Sequence, residues 1–284
     1  EKYTIMKKHE KLQKISNYAR YLIIKTLIKS KMGHPGGSLS AVDVLTALYF
    51  GIMKIDENNP DNEKRDRFIL SKGHCSLGLL SVLHMKGFIS ADELSTFRMN
   101  GSNFGAHLDL EKMPGVEMST GSLGHGLSVG VGIALAAKID KCDFKTFVMM
   151  GDGETQEGSI WEAAMSASAY KLNNLIGIVD RNRIQQCGPT ENVMSLEPYK
   201  DKWEAFGWFV KEINGHNMEE IINTFEEPIS HGGMPTLIIS NTVKGKGISF
   251  MENDNKWHGG GSIAQFADRA LEEVQEYENY KDLL

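Results

Sequence analysis

The chain has 284 residues, which is enough for one large α/β domain or two small ones. Its formal net charge is −6 and no basic stripe is present, which argues against nucleic acid as the main partner. The three cysteines are far apart, which argues against a disulfide framework or a CxxC zinc site and favours the reducing cytoplasm. No segment has the roughly 18 consecutive apolar residues of a membrane span, so we expect no membrane partner.

The first half of the chain predicts helices separated by glycine-rich junctions. Apolar residues at helical spacing predict a helix over 12–29, and KMGHPGGSLS predicts a loop before a second helix at about 41–50. RFILS (67–71) predicts a short buried strand, and KGHCSLGLLSVLHMKG returns to helix. Ser90, with Glu93 three residues later, predicts a further helix start.

The run SLGHGLSVGVGIALAAKID predicts another helix, in spite of its many glycines. Glycine lowers helix stability, so its density here indicates close packing against neighbouring backbone. The glycines concerned are Gly126, Gly130 and Gly132.

The second half alternates strands with helices. Strands are predicted at 146–150, 175–180, 209–213 and 236–243, and helices at 157–172, 198–206 and 218–225. This alternation predicts an α/β fold, a doubly wound, mostly parallel sheet with helices on both faces. No linker or internal repeat interrupts it, so we interpret 1–284 as one domain that ends in an acidic helix or tail.

Two polar side chains follow neighbouring strands of this predicted sheet. Asp152, in a Gly-Asp-Gly turn, follows the strand at 146–150, and Asn182 follows the strand at 175–180. A lone Gly-Asp-Gly is more often an ordinary strand-to-helix turn in which Asp caps the helix. Because adjacent parallel strands lie about 4.8 Å apart, the two side chains can nevertheless converge on one site at the carboxyl ends of the strands.

An all-oxygen metal site fits that position. Mg²⁺ prefers carboxylate, amide and carbonyl oxygens, with phosphate oxygens completing its shell. Asp152, Asn182 and the backbone carbonyl of Ile184 would supply the protein ligands and leave room for a diphosphate. A helix predicted to begin after Gly153 would point its N-terminus, which favours anions, at the same place. The sequence therefore predicts a site for Mg²⁺, or for Ca²⁺ or Mn²⁺ in its place, together with a diphosphate.

The spacing from Gly-Asp-Gly to Asn182 resembles the signature of thiamine diphosphate enzymes, and longer segments resemble transketolase. They are GHPGGSLS (33–40), SKGH (71–74), PGVEMSTGSLGHGLSVGVGIALAAK (114–138), GDGETQEGSIWEAAMSA (151–167) and NTVKGKGISFMENDNKWHG (241–259). They follow the family's order along nearly the whole chain, and together they are very specific. Only the diphosphate-binding (PP-domain) half of a transketolase is matched, so the chain resembles the N-terminal subunit of a split transketolase.

The resemblance implies contacts to thiamine diphosphate. Gly121, Ser122 and Leu123 match the segment along the thiazolium and aminopyrimidine rings. Glu157 matches an acid near the interface where two cofactor sites communicate.

Further implied contacts surround the diphosphate. His74 matches a histidine that contacts cofactor phosphate, Gly153 backs the diphosphate, and Asn182 serves both metal and cofactor. We expect Lys244 near the diphosphate or in the entry funnel, although its KGKG run lacks the spacing of a nucleotide-binding P-loop. His258 is expected beside the cofactor as well as the substrate.

Three histidines are implied to be catalytic: His34 and His258 match substrate-facing residues, and His107 aligns with a further active-site histidine. Histidine titrates near neutral pH and can move protons to and from sugar hydroxyls. A single glycine-flanked histidine is as often a satisfied loop residue, but four of the nine histidines lie in glycine-rich junctions. We interpret the histidines outside these motifs as structural or surface residues: His84, His216 and His231.

The chain departs from the family pattern at two places. Ser122 and His125 replace a proline and a glutamine, which would loosen a turn and alter contacts near the aminopyrimidine. Glycines at 259–261 replace the residues that relatives carry after the last active-site histidine, which changes the substrate funnel.

The resemblance implies transfer of a two-carbon ketol unit from a ketose phosphate to an aldose phosphate. A C-terminal partner subunit with the pyrimidine-binding domain would complete the enzyme, as a heterotetramer. Two alternatives stay open: a component of another thiamine diphosphate enzyme, similar to deoxyxylulose-phosphate synthase or a 2-oxo acid dehydrogenase E1 component, and a non-catalytic paralogue. The sequence leaves the donor and acceptor sugars undetermined.

Overall fold

The computed structural model describes residues 2–227, 232–259 and 263–274, with side chains from residue 8 onward. The helices are α1 (Lys2–Ser30), α2 (Pro35–Ala47), α3 (Ser76–Lys86), α4 (Ala91–Leu94), α5 (His125–Ile139), α6 (Gly158–Ala169), α7 (Thr190–Val193), α8 (Tyr199–Ala205), α9 (Met218–Glu226) and α10 (Ala267–Glu272). Shorter turns are a π-turn at Leu48–Ile52 and 3₁₀ turns at Gly73–Cys75, Gly153–Gln156, Asn255–Trp257 and Ile263–Phe266.

The strands form one main sheet and a small hairpin. They are β1 (Arg67–Leu70), β2 (Thr146–Gly151), β3 (Leu175–Arg181), β4 (Ile184–Gln185), β5 (Gly188–Pro189), β6 (Phe209–Asn214) and β7 (Thr236–Asn241). The main sheet has the order β1-β2-β3-β7-β6, and every neighbouring pair in it is parallel. Strands β4 and β5 pair antiparallel. The prediction of a mostly parallel sheet is confirmed.

Helices cover both faces of the sheet because side chains alternate along each strand. Phe147 and Met149 of β2 point to a core shared with α1, α2, α3 and α9. Val148 and Met150 point to a second core, shared with α5, α6 and α8. Strands buried on both faces read as continuous apolar runs, and the doubly wound arrangement therefore follows from the sequence pattern.

The strand order reverses in the second half of the sheet. From β3 the chain passes through α8 to the edge strand β6, then returns through α9 to place β7 between β3 and β6. Helices α8 and α9 lie in the two different cores and therefore on opposite faces. Such a reversal opens a crevice at the carboxyl ends of the strands, which is where α/β sheets bind ligands.

The predicted loop at 31–40 is wrong from Pro35 onward, because α2 begins there with proline in its first turn. The two glycines that follow serve close packing. A Cβ atom on Gly36 would lie 2.8 Å from the carbonyl oxygen of Trp257, and one on Gly37 would lie 2.5 Å from Sγ of Cys75. The glycine pair therefore marks a crowded helix start and not a turn.

Two further features differ from the sequence prediction. The turn after Asp152 is a 3₁₀ turn, and α6 begins only at Gly158, five residues later than the helix start that we expected at Gly153. The β4–β5 hairpin and α7 were not predicted, since segments of two to four residues carry no periodicity. The expected acidic tail beyond residue 274, like His231, lies outside the described residues.

Across the described part of the chain, no helix has the length and hydropathy needed to cross a membrane.

Helix α5 offers a test of why its glycines are present. A Cβ atom on Gly126 would lie 2.8 Å from Cα of Ser71, whereas one on Gly132 would meet nothing within 4 Å. We expect Gly126→Ala to lower the free energy of unfolding by about 1–3 kcal/mol through overpacking. Gly132→Ala should raise it by up to about 1 kcal/mol, because alanine is the better helix former. Urea denaturation followed by circular dichroism measures both, and equal stability of the two variants would contradict the packing explanation.

Candidate active site

A buried ion pair holds the carboxyl ends of the strands together. The Lys72 ammonium, just after β1, pairs with the Asp180 carboxylate in β3, and each side chain is 2% exposed. Asp180 also accepts hydrogen bonds from Ser40 Oγ at 2.6 Å and from Thr242 Oγ1. Although burial opposes ionisation of both partners, each charge favours the other, so the pKa of Lys72 is raised and that of Asp180 is lowered. One carboxylate thus connects β1, β3, α2 and the segment after β7.

The three predicted metal ligands lie beside this ion pair. Asp152 is 3% exposed, and its carboxylate accepts hydrogen bonds from the backbone N–H of Gly153 at 2.7 Å and of Arg183 at 2.6 Å. Asn182 Oδ1 accepts from the N–H of Ile184 at 3.1 Å. The parallel pairing of β2 with β3 brings these residues together, as the strand assignment predicted.

The side chain of Lys244 joins the predicted metal ligands to the histidines. Its ammonium donates to the carbonyl oxygen of Ile184 at 2.7 Å and to Nδ1 of His258 at 2.8 Å. Burial and the neighbouring charge of Lys72 lower the pKa of Lys244 to about 8. The predicted carbonyl ligand therefore already contacts a positive charge.

The donor set fits a hard divalent cation. Asp152, Asn182 and Ile184 offer a carboxylate, an amide and a carbonyl oxygen, which is the ligand chemistry of Mg²⁺ and Ca²⁺. Among the described residues, no cluster of three or more His, Cys, Asp and Glu side chains could hold a metal of another kind. The protein oxygens are few, so ligands from a bound anion would have to complete the shell.

Three histidines from distant parts of the chain form one cluster. The ring centroids of His34 and His74 lie 5.3 Å apart, those of His34 and His258 5.8 Å, and those of His74 and His258 5.1 Å. They come from the start of α2, the turn after β1 and the turn after Asn255–Trp257. The structure therefore brings together three residues that are separated by more than 200 positions in sequence.

These imidazoles are held neutral. Burial, followed by the charge of Arg98, lowers the pKa of His34 to about 4; burial, followed by Lys244, lowers that of His258 to about 3. Burial and Lys72 lower the pKa of His74 well below its usual value. Within the described part of the chain, Nδ1 of His34 is buried without a hydrogen-bond partner. A buried polar atom of this kind indicates a position that a ligand can satisfy.

His107 lies next to the cluster. Its charge contributes to the lowered pKa of His34, and its ring packs against Gly121, where a Cβ atom would come within 2.9 Å of Cγ. Gly121 has φ of +146°, which side chains rarely adopt. The Gly121 turn thus presents bare backbone between His107 and Gly73, whose own Cβ position lies 2.9 Å from the N of Gly121.

Other predicted cofactor residues lie outside the histidine cluster. Ser122, Leu123 and Glu157 are exposed, on a surface formed by the starts of α5 and α6. The backbone of Gly124 lies against Glu157, since a Cβ atom there would be 2.7 Å from Glu157 Cβ. His125 is exposed on the same surface. Of the glycine run at 259–261, residues 260 and 261 lie outside the described residues.

Two buried charged residues of the site escaped the sequence analysis. Glu154 accepts hydrogen bonds from Ser71 Oγ and from the N–H groups of Gly124 and Gly151, both at 3.0 Å. Arg181 contacts Asp152 at 3.3 Å and extends to acidic groups of the segment after β5, Glu191 and Glu197. Charged residues inside apolar strand ends, as in LIGIVDR, were the available signal, as they were for Lys72 and Asp180.

His84 and His216 are both hydrogen bonded: Nδ1 of His84 lies 3.0 Å from the Ile89 carbonyl, and Nδ1 of His216 lies 2.7 Å from Asp43.

The lowered histidine pKa values predict the pH dependence of stability. Unfolded histidine has a pKa of about 6.5, so below that pH the unfolded state takes up protons that His34 and His258 refuse in the folded state. Stability from these groups is present above about pH 6.5 and falls as the pH drops toward about 4. We expect wild type to lose more unfolding free energy between about pH 7 and about pH 5.5 than His34→Asn/His258→Asn. Parallel urea titrations would contradict the assignment if the two losses were equal.

Comparison with known proteins agrees with this geometry. The family described as transketolase, thiamine diphosphate binding domain, matches residues 11–275. One of the two subunits of an apulose-4-phosphate transketolase from Phocaeicola vulgatus is 52% identical over 267 residues, which cover 94% of this chain and 95% of that protein. The 6-deoxy-6-sulfo-D-fructose transketolase subunit SqwG of Clostridium sp. is 45% identical over 241 residues, or 85% and 88%.

Solved structures show the same fold. Transketolase from Leishmania mexicana superposes with a TM-score of 0.86 at 29% sequence identity, covering 96% of this chain and 43% of that chain. The chain thus spans less than half the length of this solved transketolase, whereas it spans most of the two relatives that are named as subunits. With the family match extending over most of its residues, the chain belongs to the transketolase family, of which it represents the N-terminal, thiamine diphosphate-binding part.

Proposed function

We propose that this chain is the diphosphate-binding subunit of a two-subunit transketolase that moves a two-carbon ketol unit from a ketose to an aldose. The observation that carries the proposal is the cluster of neutral histidines directly beside a lysine and three oxygen donors. Those features combine sites for a diphosphate, a cation and a polyhydroxylated substrate in one crevice. A purely structural paralogue has no need of buried, neutral imidazoles in that position.

The chain's own residues would hold thiamine diphosphate at the diphosphate end. Asp152, Asn182 and the Ile184 carbonyl would bind Mg²⁺, and Lys244 and His74 would contact the phosphates. The N–H of Gly153 bonds to Asp152, at the start of the turn that would back the diphosphate. When bound, the cofactor supplies a nucleophilic carbon that carries the two-carbon unit between the sugars.

The histidines would handle substrate hydroxyl groups. A neutral imidazole can accept a proton from a hydroxyl and return it, and it can hydrogen-bond a sugar in either direction. The pKa values of His34 and His258 lie far enough below neutrality to keep both rings uncharged, and Nδ1 of His34 provides an acceptor or a donor. We assign these two, with His107 beside them, the catalytic proton transfers.

A partner subunit would supply the pyrimidine-binding domain. Ser122, Leu123 and Glu157 lie exposed at the starts of α5 and α6, and the same two helices carry exposed apolar side chains at Val129 and Met165. Large permanent interfaces bury such small and apolar surface. The two similar proteins named as subunits have almost the length of this chain, which supports a split enzyme, and we infer a heterotetramer.

The substrates would be ketoses that carry an anionic group. One relative is named for apulose-4-phosphate and another for 6-deoxy-6-sulfo-D-fructose. A phosphorylated or sulfonated sugar is thus the class to screen first, with the sugars of ordinary transketolases alongside.

Replacement of the metal carboxylate tests the cofactor site. Asp152→Asn keeps the shape of the side chain but removes the only full negative charge among the proposed ligands. We expect cofactor affinity in the presence of Mg²⁺ to fall at least about tenfold, the cost of one lost charged contact. Calorimetry with thiamine diphosphate and the partner subunit measures this, and circular dichroism checks that the fold persists. Unchanged affinity would exclude Asp152 as a ligand.

Activity of the separate chain tests the two-subunit proposal. We expect the purified chain to bind thiamine diphosphate weakly and to show no ketol transfer, because the second half of the cofactor site is missing. Addition of the partner subunit should restore both. The coupled assay should use a phosphorylated and a sulfonated ketose as donors. Robust turnover by the chain alone, shown free of partner by mass spectrometry, would refute the proposal.

A further inference from the structure

A buried polar network lies behind the candidate active site, on the far side of the turn that carries Lys244. Asp43 of α2 is 1% exposed, and its carboxylate accepts hydrogen bonds from Ser16 Oγ at 2.6 Å and Arg20 Nη1 at 2.9 Å. His216 Nδ1 lies 2.7 Å from the same carboxylate. Burial opposes ionisation, but Arg20 and His216 hold the pKa of Asp43 well below its usual range. Asp43 is therefore a charged, fixed acceptor.

The position of Asp43 determines the tautomer of His216. An ionised carboxylate only accepts hydrogen bonds, so Nδ1 of His216 must carry a proton. On the other side of the ring, Nε2 accepts the backbone N–H of Val243 at 2.8 Å. The neutral imidazole thus uses both nitrogens, and it connects the carboxylate in α2 to the residue immediately before Lys244.

A second connection reaches the other end of the same turn. Arg20, already bound to Asp43, donates through Nε to the carbonyl oxygen of Lys246 at 3.2 Å. Between the two connections, the N–H of Gly245 donates to the carbonyl oxygen of Gly36 at 2.9 Å. The backbone of the turn 243–246 is therefore held at both ends by groups that converge on Asp43.

We propose that Asp43 and His216 are positioning residues that set the backbone of turn 243–246 and thereby place the Lys244 ammonium at the Ile184 carbonyl and His258. His216, predicted from sequence to be structural or on the surface, then acts on the site without touching it. The effect on cofactor binding rests on the proposed function, whereas the effect on the turn does not.

Two substitutions at position 216 separate the two hydrogen bonds. In His216→Gln, the amide oxygen can reach the place of Nε2 and accept from Val243. In His216→Asn, the shorter amide can reach Asp43 but leaves the Val243 N–H without an acceptor. Hydrogen exchange resolved to the Val243 amide, in the full chain without cofactor, reports the turn directly. Exchange should be about tenfold faster in His216→Asn, as loss of one hydrogen bond allows, and within about threefold of wild type in His216→Gln.

A control separates positioning from a general loss of stability. Ile222→Val removes one buried methylene group from α9, near His216 in sequence but with no contact to the turn through hydrogen bonds. It should leave Val243 exchange unchanged relative to other slow amides. Equal exchange of Val243 in wild type and His216→Asn, or equal acceleration in Ile222→Val, would overturn the proposal.

The cofactor measurement is the second arm. In the presence of Mg²⁺ and the partner subunit, thiamine diphosphate affinity should fall in His216→Asn and be restored in His216→Gln. If His216→Asn accelerates Val243 exchange and leaves affinity unchanged, the turn does not place Lys244 for binding and the proposal fails. If wild type itself does not bind the cofactor, the proposed function fails, and the exchange data alone decide whether His216 positions the turn.

Discussion

The pairing of Lys72 with Asp180 is the constraint on which the site depends. Two charges at 2% exposure are stable only because each satisfies the other and because Ser40 and Thr242 occupy further lone pairs of the carboxylate. Removal of one partner from such a pair typically costs about 3–5 kcal/mol, so both are retained together. Since the four residues come from separate elements, the pair also fixes the relative positions of the loops that carry the histidines and oxygen donors.

The sequence predicted the sheet well because its strands are buried on both faces and appear as unbroken apolar runs. It also placed Asp152 beside Asn182, since adjacent parallel strands end at one edge. The start of α2 was missed because Pro35-Gly-Gly is the usual signature of a turn, and only the three-dimensional contacts of Gly36 and Gly37 show that the glycines create space. Lys72, Glu154 and Arg181 could not be predicted, because a charge in a strand gives no sign of which distant group neutralises it.

The histidine cluster shows how burial prepares a group for chemistry. Nearby cations and loss of water keep His34 and His258 neutral, so that they act as acceptors where an exposed imidazole would be partly protonated. The same low pKa values cost stability in acid. Function and stability therefore favour different environments for these side chains, and the ion pair beneath them helps to hold the costly arrangement together.

The late position of β7 in the sequence has a consequence for how the protein reaches its native state. Of the described strands in the main sheet, β7 is the last along the chain, yet it lies between β3 and β6. During synthesis, residues 175–181 must keep an unpaired edge until residues 236–241 leave the ribosome, at about 5–20 residues per second. Unpaired edges associate with other strands, and non-local parallel pairing is slow. The nascent chain is thus most exposed to aggregation, and most dependent on chaperones, just before its cofactor crevice can form.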